Sequence, residues 1–259
     1  MKVDFTKYQG TGNDFLLINN LDGRYNQLSI EQIQKMCTRR FGVGADGLIK
    51  INKSETSAFE MDYYNADGSK SFCGNGARCA VHFAGQIGID VSSVEFEAID
   101  GLHAASLNED EVTLKMSDVR TVENNGDSFE INTGSPHYIV LSDDISSKHV
   151  ISLGRNIRFS DKYKIDGINV NLLKEISANE IAIATYERGV EDETLSCGTG
   201  ATACALLWDS LSNSSLREVK VKVKGGKLKV EFKRDGKGGY YDIYLIGPAT
   251  PVYHGVIEV

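Results

Sequence analysis

The sequence lacks the features that mark membrane-spanning and exported chains. No apolar run approaches the roughly 18 residues that a membrane span needs. The first ten residues, MKVDFTKYQG, have no apolar stretch after the lysine, as a signal peptide would. A basic excess is missing too, because the net charge is −8 at pH 7, and nucleic acids and anionic membranes bind basic faces. We therefore expect a cytoplasmic protein that binds neither nucleic acid nor membrane.

Cysteine pairs of the CxxC type are also missing. The cysteines number five, which argues against a disulfide framework in an intracellular protein. The histidines do not cluster near them, so we expect no structural zinc site and no metal. Three of the cysteines are predicted to be core residues: Cys37, Cys79 and Cys204.

What the sequence does contain is a globular composition rich in short strands. Apolar residues make up 41% and charged residues 25%, and the length of 259 residues allows one large domain or two ordinary ones. Alternation of apolar and polar residues predicts half-buried strands at residues 58–63, 94–97, 219–223 and 228–232, with further strands at 181–184 and 240–246. Helices are predicted after Ser29, with Gln32 as its capping-box partner, and at 77–84 and 201–211.

A weak internal repeat occurs at the last two of these helices. Residues 73–80 read CGNGARCA and residues 197–204 read CGTGATAC. We interpret the repeat as two similar domains, each presenting one cysteine at the start of a helix. The predicted bounds are 1–120 for the first domain, completed by a C-terminal strand at 249–259, and 121–248 for the second.

The two cysteine loops predict acid/base chemistry. The first N–H groups of a helix have no internal partner and carry partial positive charge, so they stabilise a thiolate and can bind an anion. One Cys-Gly pair alone is commonly a small buried residue beside a turn, but two copies in separate halves favour a function. Inversion of a carbon centre needs one group to remove a proton from one face and another to deliver a proton to the opposite face. Cys73 and Cys197 would supply this thiolate/thiol pair in a cofactor-independent amino-acid racemase or epimerase.

At these residues the sequence resembles the diaminopimelate epimerase family, and the resemblance extends over essentially the whole chain. The matching segments are GTGNDF at 10–15, YNADGS at 64–69 followed by CGNGARC at 73–79, YERGV at 186–190, and ETLSCGTG at 193–200. The resemblance implies an α/β (α+β) fold of two similar domains, each a curved, mostly antiparallel sheet wrapped around a central helix. The active site would lie in the cleft between them, and the protein would be a homodimer.

The resemblance also implies roles for individual residues. Cys73 and Cys197 would be the catalytic acid/base groups, and His137 and Glu187 would support them. Residues expected to bind the substrate, diaminopimelate, are Asn13, Asn65, Gly74, Asn75, Asn169, Glu187, Arg188, Gly198 and Thr199. Arg188 suits a distal carboxylate, since a guanidinium donates two parallel hydrogen bonds. The chain departs from the family pattern at two places. Ser135 stands where the family commonly has Asn. Some members carry Gln near the position of Gly47, and this side chain is absent here.

Three other functions compete with this one. Proline racemase-like enzymes also use two cysteines, but their first motif usually runs Cys-Gly-His where this chain has Cys73-Gly74-Asn75. A related isomerase without cysteines is disfavoured by the presence of both. A redox sensor would react with oxidants but would not bind diaminopimelate.

Overall fold

The computed structural model describes residues 1–212 and 216–259. The chain divides into two compact units, Met1–Leu114 with Gly247–Val259 and Lys115–Ile246. The first junction lies at 114, six residues before the predicted 120, and the second lies at 246, two residues before the predicted 248. We refer to them as unit 1 and unit 2.

The elements follow one another in a regular order. The first part of the chain forms β1 (Lys2–Gly10), β2 (Asn13–Asn20), α1 (Ile30–Cys37), β3 (Gly47–Asn52), β4 (Glu60–Asn65), α2 (Gly74–Gln86), β5 (Val94–Ala98), β6 (Gly101–Asn108) and β7 (Glu111–Lys115). The rest forms β8 (Glu123–Asn124), β9 (Phe129–Asn132), β10 (Pro136–Leu141), α3 (Ser147–Arg158), β11 (Asn169–Ser177), β12 (Glu180–Glu187), β13 (Asp192–Thr194), α4 (Gly198–Leu211), β14 (Glu218–Val223), β15 (Gly226–Arg234), β16 (Tyr240–Pro248) and β17 (Thr250–Glu258).

Unit 1 is a mostly antiparallel sheet around helix α2. Its strands pair in the order β17, β1, β2, β3, β4, β5, β6, β7. Within this order the β2–β3 and β4–β5 pairs are parallel and the others are antiparallel. Helix α2 packs against β1, β2, β3, β4 and β6, and residues 75–84 are all buried. Strands surround this helix, and its alanines and glycines let them approach closely.

Unit 2 repeats this arrangement. Strands pair in the order β8, β9, β10, β11, β12, β14, β15, β16, with β10–β11 and β12–β14 parallel and the short β13 added to β12. Helix α4 packs against β9, β10, β11, β12, β14 and β15. In both units one helix follows the third strand of these orders (β2 and β10) and the cysteine helix comes after the fifth (β4 and β12), so α2 and α4 are equivalent. The predicted fold class of two similar domains with central helices is confirmed.

Local sequence signals account for several of the elements. Ser29 caps α1, and its capping box with Gln32 is present in both directions. The β1–β2 hairpin turns at Thr11 and Gly12, which both have positive φ (49° and 89°), as a two-residue type I′ turn requires. This turn places Asn13 at the start of β2. No helix in the described ranges is both long and apolar enough to cross a membrane.

Helix α3 was not predicted from the sequence. Its residues are largely polar, and only Val150 and Gly154 are fully buried. Side chains at Ile151, Leu153 and Ile157 pack with Val150 against a small core on β11 and β12. The spacing of these residues fits one helical face, but the apolar stripe is narrow, so tertiary packing rather than overall hydrophobicity defines the helix.

Candidate active site

Cys73 and Cys197 occupy the same position in equivalent helices. Each is the N-cap residue, with extended φ/ψ angles of −133°/115° and −123°/112°, and neither side chain makes a capping hydrogen bond. Ser, Thr, Asp or Asn at an N-cap would accept from the helix amides. A cysteine leaves that positive field to its own thiolate or to a bound anion. Cys73 is half-buried and Cys197 is buried.

The sulfur of Cys73 lies beside the amide of Asn13. Cys73 Sγ is 3.5 Å from Asn13 Oδ1, and Asn75 Nδ2 donates to the same oxygen at 3.2 Å. Asn13 Nδ2 donates to Asp46 at 2.6 Å, which fixes the orientation of the amide. The structure therefore groups Cys73, Gly74, Asn75 and Asn13 at the start of α2.

Asn65 ends strand β4 and is held by a polar loop. Its Nδ2 donates to the hydroxyls of Ser69 and Ser71 at 3.0 and 3.1 Å, and Tyr63 donates to its Oδ1 at 2.9 Å. Gly47 pairs with Asn65 in the β3–β4 ladder. A Cβ atom at Gly47 would lie 2.4 Å from the Tyr63 ring, so Tyr63 fills the space that a side chain at 47 would need.

In unit 2 a polar network surrounds the start of α4. His137 Nε2 lies 2.9 Å from Thr199 Oγ1 and 3.1 Å from Ser135 Oγ. Thr199 Oγ1 lies 3.5 Å from Cys197 Sγ, and Asn169 Nδ2 donates to Ser135 Oγ at 3.1 Å. The hydroxyl of Ser135 therefore connects three of the predicted site residues within unit 2.

His137 is fully buried, and burial lowers its pKa to about 3, with the positive charge of Arg188 acting in the same direction. The imidazole is therefore neutral at every pH at which the protein would work. A group with so low a pKa is a weak base, and its role in the network is hydrogen bonding.

Glu187 is the last residue of β12, and Arg188 follows it. Thr194 donates to Glu187 Oε2 at 2.9 Å. The backbone N–H of Arg188 donates to Asn169 Oδ1 at 2.9 Å, and its exposed guanidinium reaches the carbonyl oxygen of Asp166 at 2.9 Å. These contacts bring Asn169, Glu187 and Arg188 to one end of the sheet of unit 2.

The other three cysteines are buried, as predicted. Burial raises the pKa of the Cys37 and Cys79 thiols to about 12 and raises that of Cys204 as well. They stay protonated at neutral pH. Within residues 1–212 and 216–259, no three His, Cys, Asp or Glu side chains are grouped as metal ligands would be.

The sequence matches known proteins over nearly its whole length. A family model described as diaminopimelate epimerase matches residues 5–122 and 129–252. The chain belongs to the diaminopimelate epimerase family. A family member from Flavobacterium psychrophilum is 44% identical over 97% of this chain and 98% of its own length, and one from Chlorobaculum tepidum is 44% identical over 96% and 99%. A member from Aquifex aeolicus is 36% identical over 98% and 97%.

Solved structures of more distant proteins share the fold. A phenazine biosynthesis protein of the PhzF family from Bacillus anthracis superposes with a TM-score of 0.76 at 12% identity and covers 100% of both chains. A probable proline racemase from Agrobacterium radiobacter gives 0.68 at 13% identity, over 99% of this chain and 92% of its own. At these identities the likeness shows the fold alone.

Sequence reasoning missed three residues that the structure places beside the predicted ones. Asn171 lies two residues from Asn169 in an apolar strand, and this spacing puts both on one face. Arg78 is a charged residue in an otherwise apolar helical segment, and it is 0% exposed. Tyr63 carried no signal, because its contact with Gly47 and Asn65 depends on the strand register.

The burial of His137 makes stability depend on pH. Between about pH 6.5 and 3 the unfolded chain binds a proton that the folded ring does not, so the free energy of unfolding falls as the pH falls, by about 1.4 kcal/mol for each pH unit from this residue. We expect the pH dependence of urea unfolding between pH 6 and 4.5 to be shallower in His137→Gln than in the original protein. Equal slopes would contradict a buried, neutral His137.

Proposed function

We propose that the protein is a diaminopimelate epimerase that interconverts LL- and meso-diaminopimelate. One observation carries the proposal: the two cysteines are the N-cap residues of equivalent helices in a chain that belongs to this family along nearly its whole length. The relatives named above are called diaminopimelate epimerases. A proline racemase-like activity is the alternative. The likeness to a probable proline racemase is one of fold alone and does not favour that activity.

In the proposed mechanism, one thiolate removes the α-proton and the other thiol delivers a proton to the opposite face. Each sulfur has to lie within about 3–3.5 Å of the carbon, so the two sulfurs would be about 7 Å apart with the substrate's α-carbon between them. The backbone N–H groups of Gly74, Asn75, Gly198 and Thr199 would hold the α-carboxylate. These donors would also stabilise the negative charge that spreads into the carboxylate as the proton leaves. No cofactor takes part in this proposal.

The distal end of diaminopimelate would bind to polar side chains outside the helix starts. Asparagines suit a zwitterion because each amide both donates and accepts, and Asn13, Asn65 and Asn169 are proposed for this role. Arg188 would bind the distal carboxylate. Ser135 contacts Asn169, His137 and Thr199. We therefore propose that it holds these side chains in place and does not itself bind the substrate as the longer Asn of other family members would.

The cellular setting is part of the same proposal. Family membership suggests a role in lysine and peptidoglycan precursor synthesis in the cytoplasm, and a homodimer. Strand β17 is at the end of the sheet of unit 1 and exposes Val252, Tyr253 and Val256, which would offer an apolar surface to a second copy. Sedimentation equilibrium would give the mass of the assembly.

We expect Cys73→Ala and Cys197→Ala each to lower epimerisation of LL-diaminopimelate by at least about 100-fold, since a positioned acid or base contributes that much and neither sulfur can serve both faces. The matched control is Cys204→Ala on the same helix α4, which should cost stability but keep turnover in the folded protein. Activity is measured by chiral chromatography without added pyridoxal phosphate. Near-normal turnover by Cys73→Ala, or inversion of proline without turnover of diaminopimelate, would contradict the proposal.

Arg188→Lys keeps the charge but loses the paired donors. We expect kcat/KM for diaminopimelate to fall by roughly 10- to 100-fold, the equivalent of one charged hydrogen bond, with an unchanged circular dichroism spectrum. Arg155→Lys, at an exposed position on α3, is the control and should keep its efficiency. If both variants behave alike, Arg188 does not bind the substrate.

A further inference from the structure

Asn171 is a buried residue of β11 whose amide orientation is fixed by its neighbours. Its Nδ2 lies 3.3 Å from the carbonyl oxygen of Tyr138, which can only accept. Its Oδ1 accepts a hydrogen bond from Thr185 at 2.9 Å. The nitrogen must therefore face β10, and its second hydrogen points to His137.

This orientation determines which nitrogen of His137 carries the proton. Asn171 Nδ2 lies 3.1 Å from His137 Nδ1. Because an amide nitrogen only donates, Nδ1 has to accept, and a neutral imidazole that accepts at Nδ1 carries its hydrogen on Nε2. The Nε2–H group then faces two hydroxyl oxygens and donates to the nearer one, Thr199 Oγ1 at 2.9 Å, with Ser135 Oγ at 3.1 Å.

The hydroxyl of Thr199 links His137 to Cys197. Its oxygen accepts from His137, so its single hydrogen is available to another acceptor. Cys197 Sγ lies 3.5 Å from the hydroxyl oxygen. Ser135 Oγ, 3.0 Å away, accepts from Asn169 and has a hydrogen of its own to donate to Thr199. With His137 and Ser135 both donating to it, the Thr199 oxygen has its own hydrogen to offer to the sulfur, and such a bond would favour the ionised form of Cys197.

We propose that Asn171 is a positioning residue: it locks His137 in the Nε2–H tautomer, so that Thr199 donates a hydrogen bond to the sulfur of Cys197. His137 then supports the thiolate as a donor and does not take its proton. The proposal rests on the proposed function in that Cys197 is taken as an acid/base group.

The charged and titratable groups around His137, Thr199 and Cys197 do not reverse the direction of the hydrogen bonds between them. Arg188 acts on His137 and favours the neutral ring. Glu187 accepts from Thr194, and Glu130 on β9 is paired with Lys162. Cys204, on the inner part of α4, has a raised pKa because it is buried, and it stays neutral.

The corresponding place in unit 1 has the opposite polarity. Cys73 Sγ faces the oxygen of Asn13, whose nitrogen is turned to Asp46. An amide oxygen accepts from a thiol and offers no hydrogen to a thiolate. We call the chain of hydrogen bonds from Asn171 through His137 and Thr199 the relay. It acts on Cys197, and the contacts of Cys73 described above do not include a chain of this kind.

The first test is the tautomer of His137 in the unaltered protein. Long-range ¹H–¹⁵N correlation spectra, recorded with ¹⁵N-histidine and without substrate, should show a neutral His137 ring with hydrogen on Nε2, assigned by comparison with His137→Gln. In Asn171→Leu the lock is absent, and the spectrum should show loss of the pure Nε2–H form. Hydrogen on Nδ1 in the unaltered protein would overturn the proposal, whether or not the variant folds.

The second test measures the effect on Cys197 in a Cys73→Ser background. The pH midpoint of iodoacetamide alkylation at Cys197, read by peptide mapping, should rise by about one pH unit in Thr199→Val and in Asn171→Leu. Thr199→Ser keeps the hydroxyl and should restore the original midpoint. Thr202→Val is the matched control, because Thr202 donates to Gly198 on the same helix and lies outside the relay.

An unmoved midpoint in Thr199→Val, or an equal shift in Thr202→Val, would overturn the relay. Neither test uses turnover, so a protein that failed to epimerise diaminopimelate could still confirm the relay, and an active epimerase could still contradict it.

Discussion

The positive end of a buried helix is the feature on which both half-sites depend. In α2 and α4 the N-cap residue is a cysteine that does not cap its own helix, so the field of the first amides acts on the sulfur and on any anion beside it. This arrangement needs a helix start that is shielded from bulk water, because water screens such a field. In each unit the sheet packs around the helix, and the small residues of the helix let the strands approach closely. Gly200 is one such place: a Cβ there would lie 2.6 Å from Asn171 Oδ1.

The starts of α2 and α4 have similar backbone conformations but differ in the groups that face the cysteine sulfur. Beside Cys197 a hydroxyl can donate, whereas beside Cys73 an amide oxygen accepts. Arg78 adds a second difference, since its guanidinium is fully buried on α2 and its charge acts on Cys73 and Cys79. Its Nη2 donates to Thr11 and Asn75, while Nε and Nη1 have no hydrogen-bond partner in the described part of the chain. The equivalent residue of α4 is Thr202. The repeated fold therefore places two cysteines in the same backbone position with different neighbours.

Much of this site was accessible from the sequence because its signals are local. The capping box at Ser29, the alternating strands and the two Cys-Gly-x-Gly segments each depend on neighbours within a few residues. The relation between Asn171 and His137 depends instead on the parallel register of β10 and β11, which pairs His137 with Asn169. The exclusion of a side chain at Gly47 by Tyr63 likewise depends on the pairing of β3 with β4. Helix α3 was missed because its apolar face is narrow and is defined by what it packs against.

Two-base inversion is the central claim, and isotope distribution at low conversion tests it most directly. LL-diaminopimelate is incubated with the protein in deuterated water, and both isomers are recovered after a few per cent of turnover. The account predicts one deuterium at the inverted carbon of the meso product and none in the remaining LL substrate. The reason is that each thiol returns its proton only to the face from which it took it. Meso product that keeps the original proton, or LL substrate that gains deuterium as fast as the product forms, would contradict two separate acid/base groups.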